Sequence, residues 1–392
     1  MITAWRHLCA WGGLAAMTTL LPSCTQGTGP ATPCHGGWQV LTGPSDPRAS
    51  NELSGVAVVS PTDAWAVGVA LPSSGPARTL VERWRDGTWR SVPSPDRRSG
   101  SSFLNAVVAL SASNAWAVGQ SRSPGGPAQT LVLHWDGHRW AIIASPNAGP
   151  GDNSLVSVAA ASPRDVWAVG YRDAGGVFRS LVEHWDGSRW TVERLPRLAS
   201  AGDGLNAVDA AAPGGVWAVG GSARPRGPTQ PLVLRRNGRN WSAVAAPASL
   251  HSATLNGVAV WGGTGAWVVG STRVGGGDKS FGLQTDGQGW RFVPADPAAA
   301  LSVDLNAIWA AGPHDVWAVG SSFDGRWFRP LIERAVGGRL ARVATPRLPG
   351  FDARLMAVDG LGGGELWAVG NASRSGGHQR ILILHRCVSA GS

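Results

Sequence analysis

Asp165-Val166-Trp167-Ala168-Val169-Gly170 is one of seven near-copies of a single motif. Its Trp-x-Val-Gly kernel recurs at Trp65, Trp116, Trp217, Trp267, Trp317 and Trp367, so that neighbouring copies lie 50 or 51 residues apart. A fixed period of this length marks a repeat architecture, in which each copy is one supersecondary unit packed on its neighbours. The unit reads most plainly from Leu155 to Gly204. Leu155 to Ala161 is a short apolar run, strand A. Ser162-Pro163-Arg164-Asp165 is a turn, since Pro presets φ and Asp bonds its own backbone. Val166 to Gly170 is strand B, and the longer segment Tyr171 to Arg179 carries Gly175-Gly176 in its middle. Ser180 to Trp185 is strand C, Asp186-Gly187 is a strong hairpin signal, and Trp190 to Arg194 is strand D. Leu195 to Gly204 leads to the next unit.

Four short antiparallel strands per repeat make the blade of a β-propeller, and seven repeats predict an all-β, seven-bladed ring. Blades begin near Leu53, Leu104, Leu155, Leu205, Leu255, Leu305 and Leu355. The seven motif Trp side chains are expected in the core, filling the wedge between blades. The last unit stops at Ile381-Leu382-Ile383-Leu384-His385-Arg386-Cys387 and has no strand D. Gly37-Trp38-Gln39-Val40 matches Gly289-Trp290-Arg291-Phe292-Val293, so the N-terminus is predicted to supply that outer strand and remove two exposed sheet edges. Cys34 lies four residues before Trp38, as Asp186 lies four before Trp190, and Cys387 also falls at the Asp186 position. A Cys34–Cys387 disulfide is therefore expected where a covalent hairpin is missing. On the loop-entropy model it is worth at most roughly 5 kcal/mol.

The chain has 392 residues with 55 Gly and 27 Pro, and 15% of its residues are charged, which suits short strands and many turns. Lys279 is the only lysine among 34 basic residues, and the net charge is +9. The arginine skew reads either as codon usage in a GC-rich gene or as an anion-binding surface, since guanidinium forks match carboxylates and phosphates. Arg6 followed by the uncharged stretch Leu8 to Leu21 reads as an export signal, too short to span a bilayer comfortably. It ends in Leu21-Pro22-Ser23-Cys24, which resembles the lipobox of bacterial lipoproteins. That resemblance implies cleavage before Cys24 and lipidation of Cys24; cleavage by an ordinary signal peptidase is the other reading, because Pro22 is unusual in such a box. The expected organisation is signal peptide 1–23, tether 24–33, propeller 34–388 and tail 389–392. A propeller on the outer face of the cell membrane, or secreted, follows from this. Cysteines in such a compartment favour the disulfide.

The unit Leu205-Asn206-Ala207-Val208, Val216-Trp217-Ala218-Val219-Gly220 and Asn237-Gly238-Arg239-Asn240-Trp241 resembles Asp-box (BNR) and Ycf48-like propeller repeats. Trp135-Asp136-Gly137-His138-Arg139-Trp140 is the best copy of the last part. The Ser-x-Asp opening of a full Asp box is missing. Kelch and galactose-oxidase repeats are a second resemblance, through the period and Gly220-Gly221. Enzymes of these families imply constellations this chain does not carry: sialidases use a Tyr nucleophile and an Arg-Ile-Pro opening, copper oxidases use several Tyr and His, and Tyr171 is the only tyrosine here.

Propeller topology puts the short A–B turns and C–D hairpins on one face and the long B–C and D–A segments on the other. Function sits on loops carried by a rigid scaffold, so a binding site is expected on the long-loop face. One position there repeats in chemistry, two residues before strand C: Arg78, Gln129, Arg179, Gln230, Lys279, Arg329 and Gln379. Further arginines follow strand B at Arg122, Arg172, Arg224, Arg273, Arg326 and Arg374. These read either as a basic ring for an anionic glycan or protein partner, or as solvated loop residues. Asn105, Asn206, Asn256 and Asn306 start strand A in four blades, where they either ring the channel mouth or cap turns. Asp203, Asp304 and Asp352 are the carboxylates a glycosidase pair would draw on, and a carbohydrate-active enzyme is the alternative to a non-catalytic scaffold. His134, His184 and His385 occupy equivalent places in different blades, so neither a metal site nor a cofactor is expected. The reading also expects no nucleic-acid partner and a monomer.

Overall fold

The motif glycine sets the shape of each blade. In the computed structural model, Leu155 on strand A pairs with Gly170 on strand B, and the register slips by one residue immediately afterwards, between Leu155 and Ser157. A bulge of this kind adds an unpaired residue and bends the strand. A Cβ on Gly170 would lie 2.0 Å from the carbonyl oxygen of Ser154. The same Leu–Gly pair and slip occur in all seven blades, as at Leu53–Gly68 and Leu355–Gly370. The motif therefore needs glycine for close backbone approach.

The structure describes residues 36–44, 49–97, 100–211, 215–224, 227–296, 300–374 and 377–387. Cys24 and Cys34 lie outside them. Among the described residues there are seven four-stranded antiparallel sheets and no helix. Blade three shows the plan: strand A is Asn153–Ser162, B is Asp165–Asp173, C is Phe178–Trp185 and D is Trp190–Val192. Strands B and C run further than the sequence suggests. Tyr171 pairs with Ser180, Arg172 with Arg179 and Asp173 with Phe178, so most of the expected loop is a hairpin. Its tip turns through Gly175 and Gly176 at φ of 75° and 84°, conformations open to glycine. The last sheet runs from Trp38–Leu41 through Arg380–Arg386 and Glu365–Arg374 to Phe351–Leu361, with Trp38 opposite Arg386 and Leu41 opposite Ile383. The N-terminal segment thus takes the outer place in the seventh blade. Cys387 follows Arg386, buried and disulfide-bonded.

Seven core clusters each bridge two neighbouring blades, including one that joins Trp367 and Ile383 of blade seven to Leu53 and Trp89 of blade one. All seven motif Trp side chains are at most 3% exposed. Each meets the strand-D side chain of the next blade. Trp65 contacts Trp140 at 5.2 Å between ring centroids, Trp116 contacts Trp190 at 5.5 Å, and Trp167 contacts Trp241 at 5.6 Å, all near perpendicular. Trp317 meets Trp38 at 6.0 Å and Trp367 meets Trp89 at 5.2 Å. For Trp267 the partner is Leu340. Burying an indole of ~150–250 Å² contributes on the order of 4–6 kcal/mol as an upper bound.

Three carboxyls interrupt this apolar packing. Glu82, Glu183 and Glu333 are 0% exposed, on the strand-C position filled by Leu133, Leu234, Leu283 and Leu384 in the other blades. Burial pushes Glu82 up to about 7, against a lowering hydrogen bond from Ser91, and pushes Glu183 and Glu333 up to about 8. Each acid binds its proton more tightly folded than unfolded, so its own contribution to stability is full in acid and is lost as pH climbs from the ordinary carboxyl value of 4.5 through about 7 for Glu82 and about 8 for Glu183 and Glu333.

Two outcomes follow. Gly170→Ala, driven against the Ser154 carbonyl, is expected to cost about 1–3 kcal/mol in denaturant unfolding, and an unchanged midpoint would contradict the close-approach argument. Glu183→Leu and Glu333→Leu are each expected to stabilise by about 1–3 kcal/mol at alkaline pH and to flatten the decline in melting temperature between about pH 5 and about pH 9. A wild-type melting temperature that rises with pH across that range would refute the sign.

Candidate functional site

Backbone groups at the blade borders are taken up by side chains of the adjoining blade, and this consumes most of the candidate polar residues. On the channel side, strand A is a free edge. Asn105 Nδ2 donates to Leu155 O at 2.7 Å, Asn206 to Leu255 O at 2.9 Å, Asn256 to Leu305 O at 2.9 Å and Asn306 to Leu355 O at 2.8 Å. The four Asn are thus clamps, each from its own blade to the next. Val260 N donates to Asp209 Oδ2 at 2.8 Å, and Val58 N to Asp359 Oδ2 at 2.7 Å. Burial pushes Asp209 up to about 6 and Asp359 up to about 7, the latter also raised by the charge of Asp209. Both retain some solvent contact, so their shifts weigh less in stability than those of the sealed glutamates. The cavity inside the strand-A ring holds about 370 Å³.

A second set of clamps works on the long-loop face, where Ser or Asp at the start of strand A accepts a backbone N–H from the preceding blade. Ala77 N donates to Ser101 Oγ at 3.1 Å, Ala128 N to Asp152 Oδ1 at 2.8 Å, Ser180 N to Asp203 Oδ1 at 2.8 Å and Phe328 N to Asp352 Oδ1 at 2.7 Å. Asp203 is buried, which raises its pKa, but the hydrogen bonds from Ser180, Ser200 and Arg179 outweigh this and hold it below the usual carboxyl range. Asp304 is raised by burial and by nearby Asp278. Asp203, Asp304 and Asp352 stand on blades four, six and seven, and the hydrogen bonds of Asp203 and Asp352 serve the scaffold.

The seven residues of the expected basic ring are distributed one per blade and turn to their own surroundings. Arg78 lies 3.4 Å from Asp96, Arg179 3.1 Å from Asp203 and Arg329 3.0 Å from Asp324. Gln129 accepts from Arg97 at 3.4 Å and Gln230 from Arg224 at 3.3 Å, while Lys279 donates to Ala300 O at 3.2 Å. The register corrects the seventh member. Arg78 and Arg329 stand two residues before the partner of the motif glycine, and in blade seven that partner is Leu382, so the equivalent residue is Arg380. Gln379 is displaced because Ile381 adds an apolar residue at a place held by Thr79 or Ser180 elsewhere; its backbone N donates to Ser50 Oγ.

His184 stacks on Trp167 at 3.9 Å and His385 on Trp367 at 4.0 Å, each also bonded to a carboxylate, Asp165 and Glu365. Arg83 takes the same place over Trp65, paired with Asp63 through two bonds of 2.8 and 2.7 Å. These residues are covers for the motif indoles. Among the described residues no group of three metal-binding side chains is found.

The hollow that breaks the repeat lies at blade four. The residues just before the strand-A Leu and just after the motif Gly face each other across strands A and B: Phe103 with Gln120, Ser154 with Tyr171, Thr254 with Ser271, Asp304 with Ser321, Arg354 with Asn371. In blade four both are glycine, Gly204 and Gly221. The missing side chains leave a notch of about 530 Å³, bounded by Tyr171 and Phe178 of blade three and by Thr229 and Thr254. Tyr171 and Phe178 meet edge to face at 5.1 Å, and Phe178 is 55% exposed. On the other side of the same blade-three hairpin lies a groove of about 680 Å³ that Arg172, Arg179 and Arg197 line. Sequence alone does not reveal the notch, because its walls come from three different repeats.

Neither a protein-family model nor a curated protein matches the chain. Among solved structures, YCF48 bound to a D1 peptide is similar with a TM-score of 0.56 at 14% identity, over 91% of this chain and 99% of that one. YCF48 from Cyanidioschyzon merolae gives 0.51 at 15% identity, over 89% and 98%. The polysaccharide lyase Uly1 gives 0.53 at 10% identity, over 85% and 89%. What these likenesses show is a shared fold, the seven-bladed β-propeller.

Proposed function

We propose that this chain is a non-catalytic scaffold, exported and lipid-anchored at Cys24, that holds a protein partner on its long-loop face. The observation that carries the reading is the division of labour among the polar groups. The carboxylates at the blade borders are engaged in clamps, which stiffen the ring, while Arg224, Arg273, Arg326 and Arg374 stand exposed at or just past the end of strand B on the long-loop side, and Arg122, at the same place, pairs with Asp152. A rigid face with excess guanidinium favours an anionic partner. The solved neighbour that carries a peptide lends support to a protein ligand. The clamp roles of Asp203 and Asp352 weigh against the glycosidase alternative. We further propose Cys34 as the partner of Cys387.

Two experiments test this. Immobilised protein is expected to bind polyglutamate in a salt-sensitive way, and Arg224→Glu/Arg326→Glu/Arg374→Glu is expected to weaken that binding about tenfold or more. Preferential binding of polygalacturonate would turn the reading toward a glycan, and binding of neither polymer would remove it. For the anchor, wild type expressed in a bacterial host is expected to incorporate labelled palmitate and pellet with membranes. If Cys24→Ala behaves identically, the chain is not a lipoprotein.

A further inference from the structure

We infer that the notch in blade four, together with the arginine groove behind it, forms a site for an acidic peptide segment carrying one bulky apolar side chain. This rests on the protein-partner reading above and names the place and the ligand chemistry. The two hollows are the two sides of one hairpin. Along it the side chains alternate: Tyr171 and Phe178 border the notch, while Arg172 and Arg179 border the groove. Both hollows share Asp203, so they are contiguous around the hairpin base. A chain crossing the hairpin therefore meets a hollow with an aromatic wall on one side and, on the other, a groove where Arg172, Arg179 and Arg197 outnumber Glu193 and Asp203.

The notch is built to accept a side chain. Its floor has none of its own, since a Cβ on Gly204 would find Tyr171 Cβ at 3.7 Å, ordinary contact distance, and open space otherwise. Its aromatic wall has an exposed face, since Phe178 is 55% exposed although it is large and apolar, and it borders a concave hollow that polar groups also line, as ligand pockets do. Its other wall is formed by Thr229 and Thr254. Asn206 bonds Leu255 O through Nδ2, which leaves its Oδ1 to accept a peptide N–H. On the groove side, Arg172 bonds only a carbonyl, Ala148 O at 3.3 Å, among the contacts described for it. Its charge is thus available to a carboxylate. Arg179 is already bound to Asp203, so Arg172 and the exposed Arg197 are the groups that would select acidic residues.

The test uses the folded full chain and a short fluorescent peptide with a central Phe flanked by Glu on both sides. Binding is expected to weaken about tenfold when the probe's Phe becomes Ala, and to the same degree with Phe178→Ala or with Gly204→Leu, which fills the notch from its floor. Arg172→Glu is expected to weaken it as well and to reduce its salt dependence. Val274→Ala removes an exposed apolar side chain elsewhere on the long-loop face and is expected to change nothing; matched melting curves certify that the variants fold. If the probe binds equally with Phe or Ala, or ignores both notch variants while still responding to salt, the notch is not the seat and the broader reading stands. If an oligogalacturonate displaces the probe and itself depends on Phe178, the ligand is a glycan and the peptide assignment is overturned. If the probe does not bind at any salt concentration, this inference and the reading beneath it both fall.

Discussion

Two indoles meeting edge to face hold each blade to the next. One comes from strand B, where the motif puts it at the centre of a sheet. The other comes from strand D of the following blade, at the sheet's outer margin. The contact recurs around the ring with centroid separations of 5.2 to 6.0 Å, and Leu340 fills the one place where the second indole is missing. The second indole of the contact between blades six and seven is Trp38, from the beginning of the chain, and Trp367 of blade seven meets Trp89 of blade one to close the ring. Backbone pairing of Trp38–Leu41 with Arg380–Arg386 then spares the seventh sheet an open edge.

Packing of indoles alone would leave the inner strands with unpaired backbone groups along the channel. The Asn and Asp side chains there meet that need, each reaching across a blade border to a carbonyl or an N–H of the next strand A. Ser and Asp do the same at the long-loop end. Unmet buried backbone groups would be costly, so these polar residues are held by the scaffold and not spare for chemistry. The buried glutamates are a different matter. They occupy Leu positions, and the hydrogen bond from Ser91 to Glu82 is the only one found for their carboxylates among the described residues.

What is legible in the chain itself is whatever is local or arithmetic. The period, the Asp186-Gly187 turn, the missing strand D and its match at Trp38 all follow from residue order. The burial of the motif Trp follows from its recurrence. What escapes is set by neighbours far apart in sequence. Gly175-Gly176 reads as the middle of a loop, although it is the tip of a longer hairpin whose pairing depends on both strands continuing. The Asn of strand A reads as a turn cap because its acceptor lies about one full repeat away. The ring position in blade seven reads as Gln379 because an extra apolar residue precedes the true register.

The same logic locates recognition. Seven similar blades present similar surfaces, and a surface that repeats cannot by itself orient an asymmetric ligand. Discrimination has to come from positions where the copies differ and where the difference does not disturb the fold. The residue pair just before the strand-A Leu and just after the motif Gly meets both conditions. It lies beyond the Leu–Gly bulge and the Trp wedge, and it varies from Phe103 and Gln120 to Asp304 and Ser321 without changing strand register. Gly204 and Gly221 are the extreme of that variation, since they remove both side chains at once. Their effect is concave because Tyr171 and Phe178 on the neighbouring blade remain large. A notch made by omission in one repeat and walled by another has a defined direction around the ring, and an asymmetric partner requires that direction if it is to bind in one orientation.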